Sequence, residues 1–307
     1  MPLALVTGAS TGIGRATALR LVANGWMVLA GVRDPGAGEA LSELADTRGA
    51  GALTPLTLDV TDPQQVAAAA EHVARAAGRS GAANGAGGSG PGRLDALVNN
   101  AGIGVGGPLE LVSAEDLRRQ FEVNVFAQVA VTQALLPALR GARTNGGARR
   151  AGADTGGRIV FVSSIGGRVA MAFTAPYAAS KHAIEALADA LRVELRTSGV
   201  RVALVEPGSV ATPIWDKARG ETDGLSVPPE LEAEYGHAKV AMAKALEGTA
   251  RRGVPAESVA ETIERALTAR RMRARYVVGS DARAMLVAKR LLPDLMFDRL
   301  ARRALGV

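Results

Sequence analysis

The sequence predicts an α/β fold in which a doubly wound parallel sheet of about seven strands carries helices on both faces. Short apolar runs alternate with longer helical patterns along the chain, as a parallel sheet requires. The first run, Leu3 to Thr7, breaks into a glycine-rich turn before a helical pattern that starts near Arg15. Each motif with chemical character follows a predicted strand. Such sheets bind ligands at the carboxyl edge where the strand order reverses, so we expect the motifs to meet there.

Composition is typical of a globular protein. Apolar residues make up 48% and charged residues 21% of the 307 residues, which excludes disorder for most of the chain. Cysteine is absent, which excludes a disulfide framework and a thiolate metal site. We see no secretory signal after Met1 and no stretch near the roughly 18 apolar residues of a membrane span. These observations predict a cytoplasmic protein.

The excess of basic residues does not predict a nucleic-acid partner. The chain has 36 Lys and Arg against 30 Asp and Glu, a net charge of +6. The arginines are scattered, aromatic residues make up only 3% of the chain, and no nucleic-acid-reading motif occurs. We therefore expect no nucleic-acid partner.

The glycine-rich turn after the first strand is a candidate phosphate site. Glycine adopts backbone dihedrals that other residues avoid, and it lets the backbone approach a pyrophosphate. The free amides at the positive end of the following helix favour that anion. The alternative is a turn whose glycines serve geometry alone. The candidate cofactor-binding residues here are Gly8, Ser10, Thr11, Gly12, Ile13 and Gly14.

The second predicted strand, Met27 to Val32, ends at Arg33. An acidic side chain at this place would bind a free ribose hydroxyl and repel a phosphate. An arginine instead matches the planar geometry of a 2′-phosphate, so Arg33 favours NADP(H) over NAD(H). The alternative is a solvated loop cation paired with Asp34.

Two further strands lead into candidate binding residues. The third, Leu56 to Leu58, is followed by Asp59 and Val60. The fourth, Asp95 to Val98, ends in a pair of asparagines, whose side chains can bond neighbouring backbone and hold the sheet edge open beside a ligand. The motif after the fourth strand is Asn99, Asn100, Ala101 and Gly102.

Two helical patterns flank the fourth strand. Pro63 to Ala77 is Ala-rich and helical, and residues 78–93 are predicted to be a flexible, glycine-rich insertion. A long helix is predicted from Ser113 to about Leu139, with Asn124 inside it, where asparagine is an uncomfortable residue. The alternative is a merely tolerated surface asparagine. A second flexible insertion is predicted at residues 141–157.

The candidate catalytic group follows the fifth predicted strand, Arg158 to Ser163. A helix through Tyr177 to about Thr197 places Lys181 four residues on, and therefore on the same face as the phenol. An isolated tyrosine has a pKa of about 10, and a fixed cation nearby is expected to lower it. A hydroxyl at Ser164 can bond a substrate oxygen while the tyrosine gives or takes its proton. Such a pair alone is weak evidence and needs its context.

The last third of the chain carries one more motif and two peripheral segments. The sixth strand, Arg201 to Glu206, ends in the sequence Pro207 to Thr212. Residues 213–252 form a looser pattern, followed by a helix at Glu257 to Ala269 and a last strand at Tyr276 to Val278. Residues 281–304 form a basic amphipathic helical tail, for which we expect packing against its own subunit or a partner rather than a membrane.

Together the motifs resemble the short-chain dehydrogenase/reductase family in its compact single-domain branch, most closely the hydroxysteroid and retinol dehydrogenase type. The resemblance spans nearly the whole chain. It implies a single Rossmann-type domain over residues 1–307. The matching motifs, in order, are TGASTGIG, NNAG, Asn124, Ser164, YAASK and PGSVAT.

The resemblance also implies roles for individual residues. Asp59 and Val60 would lie near the adenine ring, and Lys181 would bond the nicotinamide ribose. Asn124 would kink its helix and hold a water that relays protons to Lys181. Residues 213–252 would form a mobile cover over the substrate. The remaining implied cofactor contacts are Asn100, Ala101, Gly102, Tyr177, Pro207, Gly208, Val210 and Thr212.

The predicted activity is hydride transfer between NADP(H) and a carbonyl or alcohol on a bulky hydrophobic small molecule. Asn124, Ser164, Tyr177 and Lys181 are the predicted catalytic residues. NAD(H) is the less favoured cofactor, and the resemblance implies a homodimer or homotetramer. The alternatives are a non-catalytic redox sensor, which would be expected to lack the tyrosine or lysine, and a sugar-nucleotide epimerase or dehydratase, which would show different glycine spacing.

Overall fold

A computed structural model describes residues 1–46, 51–82, 93–141, 156–212 and 227–305. Its centre is a seven-stranded sheet in which every neighbouring pair of strands is parallel, in the order β3-β2-β1-β4-β5-β6-β9. This confirms the predicted fold class. The strands of this sheet are β1 (Leu3–Thr7), β2 (Met27–Val32), β3 (Ala52–Thr57), β4 (Ala96–Asn99), β5 (Arg158–Val162), β6 (Arg201–Pro207) and β9 (Arg275–Val278), and a separate parallel pair consists of β7 (Val210–Ala211) and β8 (Val254–Pro255).

Helices surround the sheet. A π-helical turn, Glu122–Phe126, joins two of them, and short 3₁₀ turns occupy Leu109–Leu111, Ile165–Gly167, Leu195–Ser198 and Pro229–Leu231. The α-helices are α1 (Gly12–Ala23), α2 (Pro35–Asp46), α3 (Pro63–Ala82), α4 (Ala114–Phe121), α5 (Ala127–Gly141), α6 (Ala175–Glu194), α7 (Glu232–Tyr235), α8 (Ala238–Arg252), α9 (Ala256–Thr268), α10 (Ser280–Leu291) and α11 (Asp294–Leu305).

Alternating side chains of each strand build two cores, one on each face of the sheet. In β1, Ala4 and Val6 pack with α1, α2 and α9, whereas Leu3 and Leu5 pack with α3, α5 and α6. Because successive strand residues point to opposite faces, strands covered on both sides are apolar throughout. Burial of one such leucine contributes about 1.5–3 kcal/mol, so the paired cores hold the strand ends in a rigid frame.

The strand order places a crevice beside β1. From β1 the chain winds through β2 to β3 at one edge, and it then crosses back to β4 on the other side of β1. The connections after β1 and β4 therefore leave in opposite directions, and their carboxyl ends open a gap between them. The glycine-rich turn and the Asn100 segment lie at this gap.

Several predicted boundaries need correction. The third strand begins at Ala52 rather than Leu56, because β3 is an edge strand that tolerates Pro55. Helix α3 continues to Ala82, so the first predicted insertion does not begin at residue 78, and residues 83–92 lie outside the described chain. Gly157 belongs to the fold, since its amide donates to Leu139 at 2.9 Å, and residues 142–155 are outside the description.

Four segments differ in structure from the sequence prediction. The long helix predicted from Ser113 is divided by the π-helical turn, and helix α6 ends at Glu194 before a 3₁₀ turn. Residues 213–226 of the predicted cover lie outside the described residues, while the remainder is largely helical. The C-terminal tail is two helices, because Pro293 cannot continue the first.

The stretch Ala114–Gly141 is, by length and composition, apolar enough to cross a membrane, with a mean hydropathy of 1.2 over its best window. Half of that window is buried inside the fold. Its buried polar side chains Gln120 and Asn124 bond the backbone of the loop after β4. The segment is therefore accounted for as a core helix.

Candidate active site

Three positions in the glycine-rich turn require glycine, two because of their backbone angles and one because of close contacts. Gly8 and Gly12 have φ angles of 63° and 55°, in the left-handed region that disfavours other residues. Gly14 has an ordinary φ, but a Cβ at this position would collide with the Gly8 carbonyl and the Asn100 side chain. The turn is thus folded tightly onto the segment that follows β4, at the start of α1.

Asn100 and Thr7 tie the ends of β1 and β4 together. The Asn100 side chain donates to the carbonyls of Thr7 and Gly8, at 2.9 and 3.1 Å. The Thr7 hydroxyl accepts from the amides of Asn100 and Ala101, both at 3.0 Å. Asn99 instead donates to Thr132 inside the core, at 2.8 Å. Asn100 therefore forms the backbone bonds that the sequence predicts, with Gly102 exposed just beyond it.

The segment from Pro207 to Thr212 closes the crevice from the opposite side. A Cβ on Gly12 would lie 3.3 Å from the Thr212 side chain, so the two loops are in near contact. Val210 is buried in the small parallel pair β7-β8. The sequence missed Asp281, whose carboxylate accepts from the Ser209 amide at 2.8 Å. The only sequence feature that marks Asp281 is its position as an acidic residue in the first turn of a predicted helix.

Arg33 lies exposed at the end of β2. The Asp34 carboxylate accepts from the Gly36 amide at 3.1 Å, and in the described part of the chain Arg33 makes no ion pair with it. Arg33 is thus a solvated cation, as the alternative holds, although the described residues do not show the pair with Asp34 that the alternative includes. Arg33 is close enough to Asp59 to help lower the pKa of that carboxyl. Burial raises the Asp59 pKa, but hydrogen bonds from Thr61, together with Arg33, outweigh burial.

Asp59 and Val60 follow β3 on the same edge. The Asp59 carboxylate accepts from the Thr61 amide and hydroxyl at 2.9 and 2.7 Å, and its own amide donates to Gln65 at 2.7 Å. The Val60 side chain is buried. These bonds hold the segment after β3 in one conformation at the edge of the crevice.

Tyr177, Lys181 and Ser164 come together where β5 meets α6. The Ser164 side chain accepts from the Gly166 amide at 3.0 Å and is hydrogen-bonded to the half-buried Tyr177 phenol. The Lys181 side chain is buried, and its ammonium lies 5.7 Å from the centre of the Tyr177 ring. That ammonium donates to the Val162 carbonyl at 2.9 Å.

The electrostatics of this group correct one prediction. We expected Lys181 to lower the pKa of Tyr177, but burial raises the pKa of the phenol above its ordinary value, and the bond with Ser164 offsets only part of this. Burial also lowers the pKa of Lys181 to about 8, opposed by the charge of Glu185. At neutral pH the phenol is therefore protonated and the lysine is largely charged.

Asn124 lies in the π-helical turn and is completely buried, so the surface alternative is wrong. Its side chain accepts from the Ile103 amide at 2.8 Å and donates to the Ile103 carbonyl at 3.0 Å and to Ser180 at 3.2 Å. The extra residue of a π turn re-aims this side chain at the strand end, as such turns often do at functional sites.

The sequence missed a partner of Asn124. Gln120, one turn earlier and also fully buried, accepts from the Val105 amide at 2.6 Å and donates to the Ile103 carbonyl at 3.0 Å. The Ser180 hydroxyl donates to the Tyr177 carbonyl at 2.7 Å. Gln120, Asn124 and Ser180 thus join the loop after β4 to the helix of Tyr177. The sequence feature that could have identified Gln120 is its position four residues before Asn124, which puts both side chains on one helical face.

The loop after β4 runs from the phenol to a small group of apolar side chains. A Cβ on Gly104 would lie 3.8 Å from the Tyr177 ring, and one on Gly106 would lie 3.2 Å from Met242 of α8. Phe173, with a φ of 65°, has its ring edge-on to His237 at 6.3 Å. Its strained backbone is held by a bond from the Gly107 amide at 2.8 Å.

A neighbouring cavity of about 280 Å³ is almost entirely apolar. Met171, in the segment between Ser164 and Tyr177, contributes to its wall, and the C-terminal helices supply the rest. The lining residues are Met171, Asp281, Ala284, Met285, Ala288, Phe297, Leu300 and Ala301.

Comparisons with known proteins show which family this chain resembles. A family model described as short chain dehydrogenase matches residues 2–223. An NADPH-dependent 3-dehydrocapnine reductase of Ornithobacterium rhinotracheale is 35% identical over 300 residues, covering 98% of this chain and 96% of the relative. Retinol dehydrogenase 5 of Mus musculus is 34% identical over 301 residues, covering 95% of this chain and 85% of the relative.

A solved structure is similar over nearly the whole chain. The short-chain dehydrogenase/reductase of Burkholderia phymatum in complex with NAD has a TM-score of 0.72 and 26% sequence identity, and the match covers 94% of this chain and 92% of that chain. The fold is therefore shared with a short-chain dehydrogenase/reductase, and the sequence is similar to relatives named as a reductase and a dehydrogenase.

Proposed function

Because the chain belongs to the short-chain dehydrogenase/reductase family, we propose that it is an NADP(H)-dependent oxidoreductase that interconverts a ketone or aldehyde and an alcohol. The observation that carries the proposal is the gathering of Ser164, Tyr177 and Lys181 beside the crevice between β1 and β4. A protonated phenol, a hydroxyl bonded to it and a buried cation are the groups that carbonyl reduction needs.

The crevice fits a dinucleotide. The glycine turn packs so closely against Gly8 and Asn100 that a Cβ at Gly14 would not fit, and α1 begins there with no acidic residue in its first turn. Thr11 precedes the helix without a side-chain bond to its amides, so these amides are available to a pyrophosphate. When bound, the nicotinamide supplies the hydride.

Other residues of the crevice would hold the rest of the cofactor. Asp59 and Val60 would border the adenine, Arg33 the 2′-phosphate and Thr212 the carboxamide. Arg33 and the NADPH dependence in the name of the 3-dehydrocapnine reductase support NADP(H) over NAD(H). The other residues proposed to contact the cofactor are Ser10, Ile13, Ala101, Gly102, Lys181, Pro207, Gly208 and Val210.

The proton chemistry belongs to the chain itself. Ser164 and Tyr177 would bond the substrate oxygen, and Tyr177 would donate its proton as charge builds there. The Lys181 ammonium would stabilise the phenolate that forms and bond the nicotinamide ribose. Asn124 would keep a water in line to resupply the proton. In the reverse direction Tyr177 acts as the base, which its raised pKa makes less favourable at neutral pH.

A hydrophobic substrate is supported by the apolar side chains near the loop after β4. Phe173 and Met242 lie there, and the apolar cavity at Met171 lies along the segment that contains Phe173. The names of the two relatives refer to a dehydrocapnine and a retinol. We therefore propose a substrate with a long apolar chain or ring system.

The proposal is tested by NADPH oxidation against a panel of ketones, with wild type compared with Tyr177→Phe. We expect the variant to lose at least about a hundredfold in kcat/KM, since the general acid is gone. The matched control is Tyr276→Phe in β9, which also removes one tyrosine hydroxyl. That hydroxyl accepts a hydrogen bond from the Arg273 amide at 3.0 Å. Equal turnover by wild type and Tyr177→Phe would reject Tyr177 as the acid, whereas an absence of turnover by the wild type with every ketone would favour a non-catalytic redox sensor.

We also propose that the chain forms a homodimer or homotetramer through the helices that hold Asn124 and Tyr177. Large apolar side chains are exposed on these helices, including Phe126, Leu187 and Val193, with 58%, 42% and 70% of their surfaces exposed. Light scattering after gel filtration would show a mass above one chain, and a monomer would contradict the proposal.

A further inference from the structure

Helix α6 carries a third side chain in line with Tyr177 and Lys181 that the proposed chemistry does not use. Glu185 follows Lys181 by four residues, and only 5% of its surface is exposed. Residues four apart stack on one helical face, so Tyr177, Lys181 and Glu185 form a row that faces the sheet. A buried carboxylate at the end of such a row requires a partner, since an isolated buried charge is costly.

Arg275 of β9 supplies that partner and shares it with a second buried acid. The Arg275 Nε donates to Glu185 at 3.0 Å and is also 3.0 Å from Glu206 of β6, which is completely buried. Three further groups lie at the rim, one of which is Arg192, paired with Asp189. Asp189 accepts from Arg275 at 2.6 Å, and Arg168 donates to Glu206 at 3.2 Å.

Among the buried groups of this cluster, the charges balance only when Lys181 is counted. The rim groups Arg168, Asp189 and Arg192 are 40%, 39% and 33% exposed, so water screens their charges. Inside them lie two buried carboxylates but only one guanidinium, that of Arg275. The ammonium of Lys181, itself 5% exposed, is the second cation. Buried ions are tolerated when they are paired and hydrogen-bonded, so the interior favours a charged Lys181.

Two observations indicate that the two buried carboxylates are not fully satisfied by their partners. One oxygen of Glu185 and one of Glu206 lack a hydrogen-bond partner among the described residues. Burial raises the pKa of Glu185 to about 7, Glu206 adds to the rise, and the Ser163 hydroxyl and Arg275 oppose it. The negative charge of Glu185 in turn raises the pKa of Lys181 against the effect of burial.

We propose that Glu185 is a positioning residue that acts through Lys181, with its Arg275-bound carboxylate keeping the ammonium charged beside Tyr177. The inference rests on the proposed function, because it assigns Glu185 a part in the same proton chemistry. Glu185 itself touches neither substrate nor cofactor in this proposal. Its effect is to extend the pH range over which Lys181 is a cation.

Asp189 offers a matched control for this role. Like Glu185 it lies on α6 and bonds Arg275, but it is two turns from Lys181 and more exposed. Glu185→Gln and Asp189→Asn each remove one carboxylate charge from Arg275 while keeping shape. A general loss of the ion-pair cluster would affect both variants, whereas an effect through Lys181 appears only in Glu185→Gln.

The direct test is an NMR titration of lysine ammonium groups in protein labelled at lysine, which needs no substrate. The chain has five lysines, and Lys181 is assigned by the signal missing from Lys181→Arg. We expect Glu185→Gln to lower the Lys181 pKa by about one unit and Asp189→Asn to leave it unchanged. An unchanged Lys181 pKa in Glu185→Gln overturns the proposal, even if the enzyme activity is present.

The kinetic test follows if a ketone substrate is found. The alkaline limb of the kcat/KM profile should move to lower pH by about one unit in Glu185→Gln and stay in place in Asp189→Asn. Glu185→Asp, which keeps the charge one methylene farther away, should lie between wild type and Glu185→Gln, and it serves if the glutamine variant fails to fold. Equal shifts in Glu185→Gln and Asp189→Asn would contradict a role through Lys181.

Discussion

The ammonium of Lys181 lies 5.7 Å from the centre of the Tyr177 ring. The two side chains are neighbours, as their spacing predicts, yet burial has the largest influence on both. It raises the pKa of the phenol and lowers that of the lysine to about 8. Below about pH 8 a proton donor and a cation therefore coexist, which is the combination that carbonyl reduction requires.

The first prediction concerns pH. Carbonyl reduction should slow as the pH rises through about 8, because Lys181 loses its proton there while Tyr177, with its raised pKa, keeps its own. The sign follows from the cation, which stabilises the phenolate only below its pKa. The measurement is kcat/KM for NADPH-dependent reduction across the alkaline range. A rate that stays level well above pH 8 would show that Lys181 titrates elsewhere.

The second prediction concerns cofactor choice. Arg33→Asp should lower kcat/KM with NADPH by about ten- to a hundredfold, because a charge-assisted bond to the 2′-phosphate is worth about 1.5–3 kcal/mol. Activity with NADH should be retained or improved, since a carboxylate can bond the ribose hydroxyls. Arg118→Asp, at an exposed position on α4, is the charge-matched control. An unchanged preference would mean that the phosphate is recognised elsewhere.

The third prediction concerns the glycine turn. Gly14→Ala should abolish measurable NADPH binding, because the added Cβ would collide with the Gly8 carbonyl and with Asn100. Gly25→Ala is the control. Gly25 has a φ of 81°, but a Cβ added there would meet nothing within 4 Å, so its substitution strains the backbone without touching the crevice. Isothermal titration with NADPH measures binding by both variants. Tight binding by Gly14→Ala would show that the turn does not need glycine at this position to bind the cofactor.

The fourth prediction concerns the apolar cavity. Ala288→Trp should lower kcat/KM for long-chain ketones by about tenfold while leaving short ketones unaffected, because the indole would fill the space that a chain occupies. Val287→Trp adds the same side chain one residue away, at a position that is 56% exposed. The comparison uses a homologous series of ketones of increasing length. Parallel losses for short and long substrates would place the chain elsewhere.

Much of the fold followed from local patterns. The strands of the main sheet were predicted at or near their observed places, since alternating apolar runs and glycine turns are properties of neighbouring residues. The edge strand β3 was shortened because Pro55 interrupts its pattern. The short pair β7-β8 was missed because two-residue strands carry no periodicity.

The candidate site was predicted residue by residue, but its supports were not. Asn124 was singled out as unusual in a helix, whereas Gln120 and Asp281 passed as ordinary polar residues. Asp281 bonds the Ser209 amide across 72 positions of the chain. Only the folded chain brings such residues together, so their importance could not be read from spacing.

The sequence by itself determined the order of strands and motifs, and the stacking of Tyr177 with Lys181, because these depend on contacts within a few residues. Tertiary structure alone decided the protonation states. The pKa values of Tyr177 and Lys181 are set first by burial, and Glu185 is held by Arg275 from 90 residues away. Burial and long-range charge are properties of the packed molecule, and no local pattern encodes them.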